Sequence, residues 1–562
     1  MSRRRAAPAL LLLLFMPFAP PPAARSQTPA PSPTPPVAPA PGPAADAVER
    51  IKDEGLNRSQ VMKTIWYLTD VTGPRLTGSP ALKRANEWTR ERLADWGLQN
   101  ARLEAWGPFG RGWTLRRFSA EVTAPQSFPV LAAPRAWSPG LDGPLTSEVV
   151  LVDAENEEAL LKYKGRLRGK IVLAGALREL RPKFDPVATR LTERQLLDLA
   201  NAPDPALAPR RPPRPPTAEQ LAQARFNDRK TRFYYEEGAA LLVGSSPAGD
   251  GGMLQFVQSA QVPQPFDTPF EKRVGPWEAR APKLIPQIAV ANDHYNRLAR
   301  MIRQGERPEM TVNLQVEFDD ADRMAYNTLA EIPGGDLKDE VVMLGAHLDS
   351  WHTATGATDN AAGVGIMMEA VRILRALDLR LRRTVRIALW SGEEQGLLGS
   401  RAYVREHFGP LPSPTTPASL APAPPARFKP EHDRLNVYFN ADSGTGAIRG
   451  IYLQGNEALR PIFRRWLMPF RDFKVGGRDY SATTITAANA GGSDFLAFQA
   501  VGLNGLDFLQ DDIEYETRTW HSNEDTFDRI IPDDVKQAAV VVAAFVYNAA
   551  TETERLPRKP RQ

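Results

Sequence analysis

The C-terminal half of the chain alternates apolar runs with amphipathic segments. The run at 341–346 is continuously apolar, which predicts a strand buried on both faces, and the mostly apolar runs at 384–390, 435–441 and 502–508 predict further strands of the same series. Between the first two, the segment 361–377 carries apolar residues at the spacing of an amphipathic helix. Alternation of strands and helices predicts an α/β fold, a mixed, mostly parallel sheet with helices on both faces.

The part of the chain before residue 325 has a different pattern. Helical periodicity at 60–68 and 80–96 is followed by a strand-like run at 101–106. From about 124 to 318 the chain has short β-rich runs with isolated helices, which predicts an inserted second domain. The Pro- and Arg-rich piece within it, 182–222, is predicted to be a surface excursion.

The first residues have the features of a secretory signal. Three arginines, Arg3 to Arg5, precede an apolar run from Leu10 to Phe15, and small residues follow at 23–26. This run is shorter than the roughly 20 residues that span a bilayer. We therefore predict export to the periplasm, the cell surface or the medium, with no integral membrane span once the signal is removed.

Composition and charge narrow the classes of function. The chain has 562 residues, 42% hydrophobic residues and a net charge of +4, without a long block of one sign, so a nucleic-acid partner is not predicted. Cysteine is absent, so any metal must be held by His, Asp and Glu. The predicted organisation is a signal peptide (1–26), a Pro/Ala-rich tether (27–44), the N-terminal part of a catalytic domain (45–123), the inserted domain (124–318), the main catalytic domain (319–556) and a tail (557–562).

Side chains that can bind metal follow each strand of the predicted parallel sheet. Because ligands of such sheets sit at the carboxyl ends of strands, we expect these side chains to lie close together. Asp359 alone could cap a helix, and an acidic pair alone could be an exposed turn. Two imidazoles with several carboxylates suit zinc, and one carboxylate can bridge two ions. The candidates are His347, Asp349, Asp359, Glu393, Glu394, Asp442 and His521.

The motifs around these residues resemble a known family. They are HLDSW at 347–351, GATDNAAG at 356–363, WSGEEQGLLGS at 390–400, NADSG at 440–444, GGSDF at 491–495 and WHSNEDT at 520–526. In this order and spacing they resemble metallopeptidase family twenty-eight, the di-zinc aminopeptidases and their relatives. Within it they are most similar to the carboxypeptidase Q group. The inserted region more loosely resembles a protease-associated domain.

The resemblance implies a role for each of these residues. Two Zn²⁺ ions would be co-catalytic, with His347, Asp359 and Asp442 binding one ion and Asp359, Glu394 and His521 binding the other. Asp359 would be the bridge. Glu393 would be the general base that takes a proton from the water bridging the ions and later delivers it to the leaving amine. Asp349 would accept the N–H of His347 and fix its tautomer.

Four further residues are weaker candidates for contact with the site. Some relatives have a Tyr before the last His ligand as an oxyanion donor; here Trp520 takes that position, and Tyr515 is a candidate substitute. His352 could touch metal or substrate, or be a solvated loop residue. Asp494 is expected either to organise the pocket floor by hydrogen bonds or to cap a helix.

The predicted function is that of an exported zinc exopeptidase hydrolysing dipeptides or short unblocked peptides, in the manner of the carboxypeptidase Q group. An aminopeptidase acting on longer peptides is the first alternative. A non-catalytic binding ectodomain and a single-zinc cyclase are disfavoured by the complete ligand set. A homodimer is expected only by resemblance, and the inserted domain is interpreted as a lid or as a packing element.

Overall fold

Two eight-stranded sheets organise the residues that the computed structural model describes, 43–175, 177–207, 215–269, 272–411 and 428–559. The strands are β1 (Gln99–Trp106), β2 (Gly112–Ala124), β3 (Phe128–Pro129), β4 (Ala132–Pro134), β5 (Leu145–Leu151), β6 (Ile171–Leu173), β7 (Leu241–Ser245), β8 (Gln287–Val290), β9 (Glu309–Asp319), β10 (Ala325–Ile332), β11 (Leu337–His347), β12 (Arg383–Trp390), β13 (Leu435–Asn440), β14 (Ile448–Tyr452), β15 (Lys474–Val475), β16 (Arg478–Asp479), β17 (Thr484–Thr486) and β18 (Gly505–Gln510).

Helices connect these strands. They are α1 (Pro43–Asn57), α2 (Val61–Trp66), α3 (Pro80–Asp95), α4 (Glu157–Leu161), α5 (Glu193–Ala200), α6 (Ala218–Glu236), α7 (Asn292–Arg303), α8 (Ala362–Ala376), α9 (Leu398–His407), α10 (Pro430–Arg434), α11 (Arg460–Leu467), α12 (Phe495–Gln499) and α13 (Pro532–Thr551). Single π-helical turns at Tyr67–Val71, Ala357–Ala361 and Tyr515–Thr519 complete the ordered segments used below.

The first sheet has the strand order β1-β10-β12-β11-β13-β18-β14-β17. Its four central strands β12, β11, β13 and β18 pair in parallel, whereas β1, β10 and β14 join antiparallel to their inner neighbours. The prediction of a mixed, mostly parallel α/β sheet is confirmed. All four parallel strands therefore end at one edge of the sheet.

Helices cover both faces of this sheet, as the side chains of β11 illustrate. Val342 and Leu344 belong to one hydrophobic core with α8 and α13, while Met343 between them belongs to a second core with α9 and α12. Successive side chains of a strand point to opposite faces, so a strand covered on both sides needs apolar residues throughout. Helix α13 begins at a proline with two acidic residues in its first turn and has a buried apolar body.

The second sheet consists of β2 to β9, in the order β3-β2-β9-β5-β6-β7-β8-β4, and lies in the chain between β1 and β10 of the first sheet. Strand β2 pairs with β9 from Gly112 to Ala124, so residues 112–123, which the sequence pattern grouped with the catalytic part, belong to this sheet. The described residues from 43 onward form a single compact unit, however, and the identification of the inserted region as a protease-associated domain stays a prediction.

The predicted signal and most of the tether lie outside the described residues. Among the described residues, no helix is both long and apolar enough to cross a membrane. Of the predicted tail, residues 557–559 lie against the body of the protein, where the Pro557 carbonyl accepts a hydrogen bond from Asn456 at 2.8 Å.

Candidate metal centre

The candidate ligands meet at the carboxyl edge of the first sheet. His347 is the last residue of β11, the Glu393–Glu394 pair follows β12, and Asp442 follows β13. Asp359 lies in the π-helical turn that leads into α8, and His521 follows the turn after β18. Parallel strands bring these loops together, although the residues are separated by up to 174 positions in the chain.

Two trios of side chains share Asp359. His347 Nε2 lies 3.2 Å from Asp359 Oδ1 and 3.2 Å from Asp442 Oδ1. His521 Nε2 lies 3.1 Å from Asp359 Oδ2 and 2.9 Å from Glu394 Oε2. Within each trio the potential ligand atoms all lie within 4.8 Å of one another. These are the two groupings that the sequence analysis predicted, with Asp359 between them.

The chemistry of this cluster fits a pair of divalent cations. Each trio offers one imidazole and two carboxylate groups, a donor set that suits zinc. Donor atoms around a tetrahedral zinc with bonds of about 2.0–2.1 Å lie roughly 3.3 Å apart, close to the spacings found here. In addition, Glu394 Oε1 is buried and has no hydrogen-bond partner within the described part of the chain. A buried, unpartnered carboxylate oxygen is costly unless a cation approaches it.

Burial and crowding of like charges perturb the carboxylates. Burial raises the pKa of Glu394 to about 7, with a further contribution from Asp359. Burial also raises the pKa of Glu393 well above its usual range, although His347 opposes the shift. The burial of His521 would lower its pKa, but Glu394 and Asp359 outweigh that effect and raise the pKa to about 11. Such a crowded acidic site favours the binding of positive charge.

Asp349 contacts His347 through its backbone carbonyl and not, as expected, through its carboxylate. The acceptor at 3.0 Å from His347 Nδ1 is the backbone carbonyl of Asp349, whereas its carboxylate Oδ1 is 3.7 Å away. The carboxylate accepts hydrogen bonds from Thr77 Oγ1 at 2.9 Å and from the backbone N–H groups of Glu393 and Glu394, each at 3.3 Å. Asp349 therefore positions both the imidazole and the acidic pair, because the turn after β11 folds back towards β12.

Two buried residues that the sequence analysis did not single out hold the loops of the site. The guanidinium of Arg75 donates to the carbonyls of Leu348 at 2.7 Å and Gly356 at 2.8 Å, and so joins the loop after β11 to the turn that contains Asp359. Asp525 accepts hydrogen bonds from the backbone N–H of Thr358 at 2.6 Å and of Asp359 at 3.1 Å. In the sequence, Asp525 is marked by its place in the WHSNEDT motif at 520–526.

The inserted region contacts the His521 loop directly. The N–H of Phe256 donates to the carbonyl of His521 at 2.8 Å, and the N–H of Asn523 donates to the carbonyl of Leu254 at 3.0 Å. The side-chain amide of Gln258 lies 3.2 Å from His521 Nδ1. A partner on Nδ1 orients the ring so that Nε2 faces the carboxylates.

The four weaker candidates lie in different surroundings. Tyr515 lies close enough to the ligands that, after burial, Asp359 and Asp442 are the largest causes of its raised pKa. The ring of Trp520 packs 4.9 Å from that of His521. His352 Nε2 lies 2.7 Å from the carbonyl of Pro134 in the inserted region, so this nitrogen is directed away from the ligands. The residue is half-buried, and burial lowers its pKa to about 4.

Asp494 is the N-cap residue directly before α12, but its side chain makes no capping hydrogen bond. Its side chain is fully buried. Burial raises its pKa to about 7, and the charges of Asp349 and Asp442 add to that shift against the opposing effect of His347. The carboxylate therefore fulfils neither expectation by a hydrogen bond: it does not cap the helix, and both of its oxygens are buried without a partner among the described residues. It lies within the acidic environment of the site.

Comparison with known proteins shows which protein family has this arrangement of residues. Residues 327–546 match the model of peptidase family M28. This region of the chain belongs to that family. The match spans β10 to α13 and therefore covers every candidate ligand, and the predicted family resemblance is confirmed. From the family of this region and its relatives, the chain is identified as a metallo-exopeptidase.

Relatives and solved structures extend the similarity beyond the M28 region. Carboxypeptidase Q of Mus musculus is 26% identical over 519 residues, which cover 92% of this chain and 90% of the relative. Leucine aminopeptidase 2 of Trichophyton equinum is 37% identical over 121 residues, 21% of this chain and 23% of that protein. A peptidase M28 precursor from Shewanella amazonensis shares the fold with a TM-score of 0.61 at 22% identity, over 92% of this chain and 99% of that one.

Proposed function

We propose that this M28 enzyme is a di-zinc exopeptidase that hydrolyses dipeptides or short unblocked peptides. The observation that carries the proposal is the pair of trios that share Asp359. His347 and Asp442 would complete one zinc site, and Glu394 and His521 the other. The similarity to carboxypeptidase Q along 92% of the chain supports the substrate class.

The residues around the trios supply the other parts of peptide hydrolysis. When bound, two zinc ions lower the pKa of a shared water and polarise the peptide carbonyl. Glu393 follows β12 beside this centre, and Asp349 holds its backbone N–H at 3.3 Å. We assign Glu393 the role of general base, which takes the proton of the attacking water and returns it to the leaving amine. Tyr515 is the candidate donor to the developing oxyanion.

A cavity of about 790 Å³, lined by Gln395, which follows the acidic pair in the chain, but by none of the metal ligands, is the proposed substrate cleft. Gln395 and Leu398 of the M28 region line one side, and residues of the inserted region, including Trp277 and Arg232, line the other. Both polar atoms of the Gln395 side-chain amide are buried without a partner among the described residues. A peptide backbone could supply those partners, and a cleft enclosed by the inserted region would favour short substrates.

The aminopeptidase reading remains the second candidate. It is favoured by the 37% identity to leucine aminopeptidase 2, which is confined to 121 residues. The metal ligands do not separate the two activities, because the terminus of the substrate is recognised outside the ligand set. Export, based on residues 1–26, and a homodimer both stay proposals.

A panel of free dipeptides, N-blocked dipeptides, C-blocked dipeptides and longer peptides tests the proposal. We expect free dipeptides to be hydrolysed by the zinc-loaded protein and not after chelation. Loss of activity upon C-terminal blocking would identify a carboxypeptidase, and loss upon N-terminal blocking an aminopeptidase. Metal-bound protein that hydrolyses no peptide in the panel would contradict the proposal and favour a binding ectodomain.

A further inference from the structure

A second cavity lies in the inserted region and includes none of the metal-centre residues. It encloses about 250 Å³ beside strands β6 to β8 and helix α6. Two arginines line this cavity, and none of the described residues that line it is Asp or Glu. Its polar side chains are Arg135, Arg178, Thr231, Tyr234, Ser245, Gln261 and Gln287.

Arg135 is the central charge of this cavity. It follows β4 directly, and its guanidinium forms no ion pair or side-chain hydrogen bond with the described residues. Burial lowers the pKa of Arg135, and no acidic group counters that effect. Arg135 is half-buried and lines the cavity, and the planar fork of its guanidinium matches a carboxylate or a phosphate.

Tyr234 also lines this cavity and provides an independent observation. The residue is 3% exposed, and its hydroxyl is buried without a hydrogen-bond partner among the described residues. Buried hydroxyls in folded proteins nearly always have a partner, so this one calls for an acceptor in the cavity. Burial raises the pKa of Tyr234, which keeps the hydroxyl protonated and able to donate.

Together these groups define a ligand by its chemistry. We propose that this cavity binds a small oxyanion, inorganic phosphate or the carboxylate of a free amino acid, between the Arg135 guanidinium and the Tyr234 hydroxyl. Arg178, which is exposed at the same cavity, adds a second positive charge at its opening. The two sources share the chemistry of an oxygen-bearing anion that accepts charge-assisted hydrogen bonds. The proposal does not depend on the metal centre.

Isothermal titration of the zinc-loaded full chain with inorganic phosphate, and separately with glycine, tests the site. We expect one of the two to bind, with Arg135→Gln weakening its binding by about tenfold or more and Tyr234→Phe weakening it by a smaller factor. The control Arg300→Gln removes an exposed arginine of helix α7 in the same region and is expected to leave the affinity unchanged. Phosphate that binds at the metal centre instead would inhibit dipeptide hydrolysis, and its binding would be unchanged in Arg135→Gln. Binding at the metal centre is therefore distinguishable from binding in this cavity.

Several results would overturn the proposal. These are binding of neither probe, binding that is equal in wild type, Arg135→Gln and Tyr234→Phe, or an equal loss in Arg300→Gln. Tyr234→Phe conserves the ring and removes only the hydroxyl, so it keeps the test valid if Arg135→Gln does not fold. As a second measurement, the anion that binds should raise the melting temperature of the wild type above that in chloride at equal ionic strength, and not that of Arg135→Gln.

Discussion

Replacing Asp525 by Asn should weaken metal binding without changing the shape of the site. Asp525 is 3% exposed and accepts the backbone N–H groups of Thr358 and Asp359, one on each oxygen, at 2.6 and 3.1 Å. Asn has the same size, but its amide nitrogen cannot accept, so one of these N–H groups loses its acceptor. The turn that presents the shared ligand Asp359 is then held by one hydrogen bond fewer.

The size of the effect follows from that single hydrogen bond. A hydrogen bond to a charged group contributes about 1.5–3 kcal/mol, and 1.4 kcal/mol corresponds to a factor of ten in affinity. We therefore expect Asp525→Asn to raise the dissociation constant for zinc by about 10- to 100-fold, in the range known for residues that support metal ligands. At saturating zinc, the hydrolysis rate should change much less than the affinity.

Competition between the protein and a zinc-binding dye measures this change. The matched control is Asp528→Asn, which removes an exposed carboxylate three residues further on and should bind zinc as the wild type does. If Asp525→Asn retained wild-type affinity, or if Asp528→Asn lost as much, the assignment of Asp525 as the support of Asp359 would be refuted.

Three further predictions concern other parts of the molecule. Gln258→Ala removes the partner 3.2 Å from His521 Nδ1 and should release zinc faster than the wild type upon chelation, measured by stopped-flow with a zinc dye. Two carboxylates at 2.9 and 3.0 Å outweigh burial and raise the pKa of His407, so the stability lost in His407→Gln should be largest near pH 6 and shrink as the pH rises through the folded-state pKa, measured by urea unfolding. Phe545→Ala empties a fully buried position of α13 and should lower the free energy of unfolding by about 3–5 kcal/mol; a loss below 1 kcal/mol would contradict the packing described.

The ligand-bearing part of the fold could be predicted from the sequence because its signals are local. Strands covered on both faces need mainly apolar residues, and the second half of β11 and most of β12 and β13 have them. The side chains that follow those runs must meet at one edge, whatever the details of packing. His347 and Asp442 are therefore 3.2 Å apart in space although 95 residues separate them in the chain.

The supporting residues could not be predicted because tertiary packing alone determines their partners. Arg75 contacts carbonyls more than 270 residues further along the chain, and Gln258 reaches His521 from the inserted region. The sequence also does not specify which oxygen of Asp349 accepts the His347 N–H. Each of these depends on how loops from different elements fold against one another, and none follows from periodicity.

The zinc content and the dipeptide hydrolysis rate of Glu393→Gln, measured on one preparation, test the central claim most directly. The substitution conserves size and leaves both ligand trios intact, so the variant should bind two zinc ions, as the wild type should. Without a carboxylate to move the proton, we expect the rate to fall by about 100- to 10,000-fold. Two bound zinc ions with a wild-type rate would contradict the assignment of Glu393, and fewer than two in the wild type would contradict the dinuclear centre.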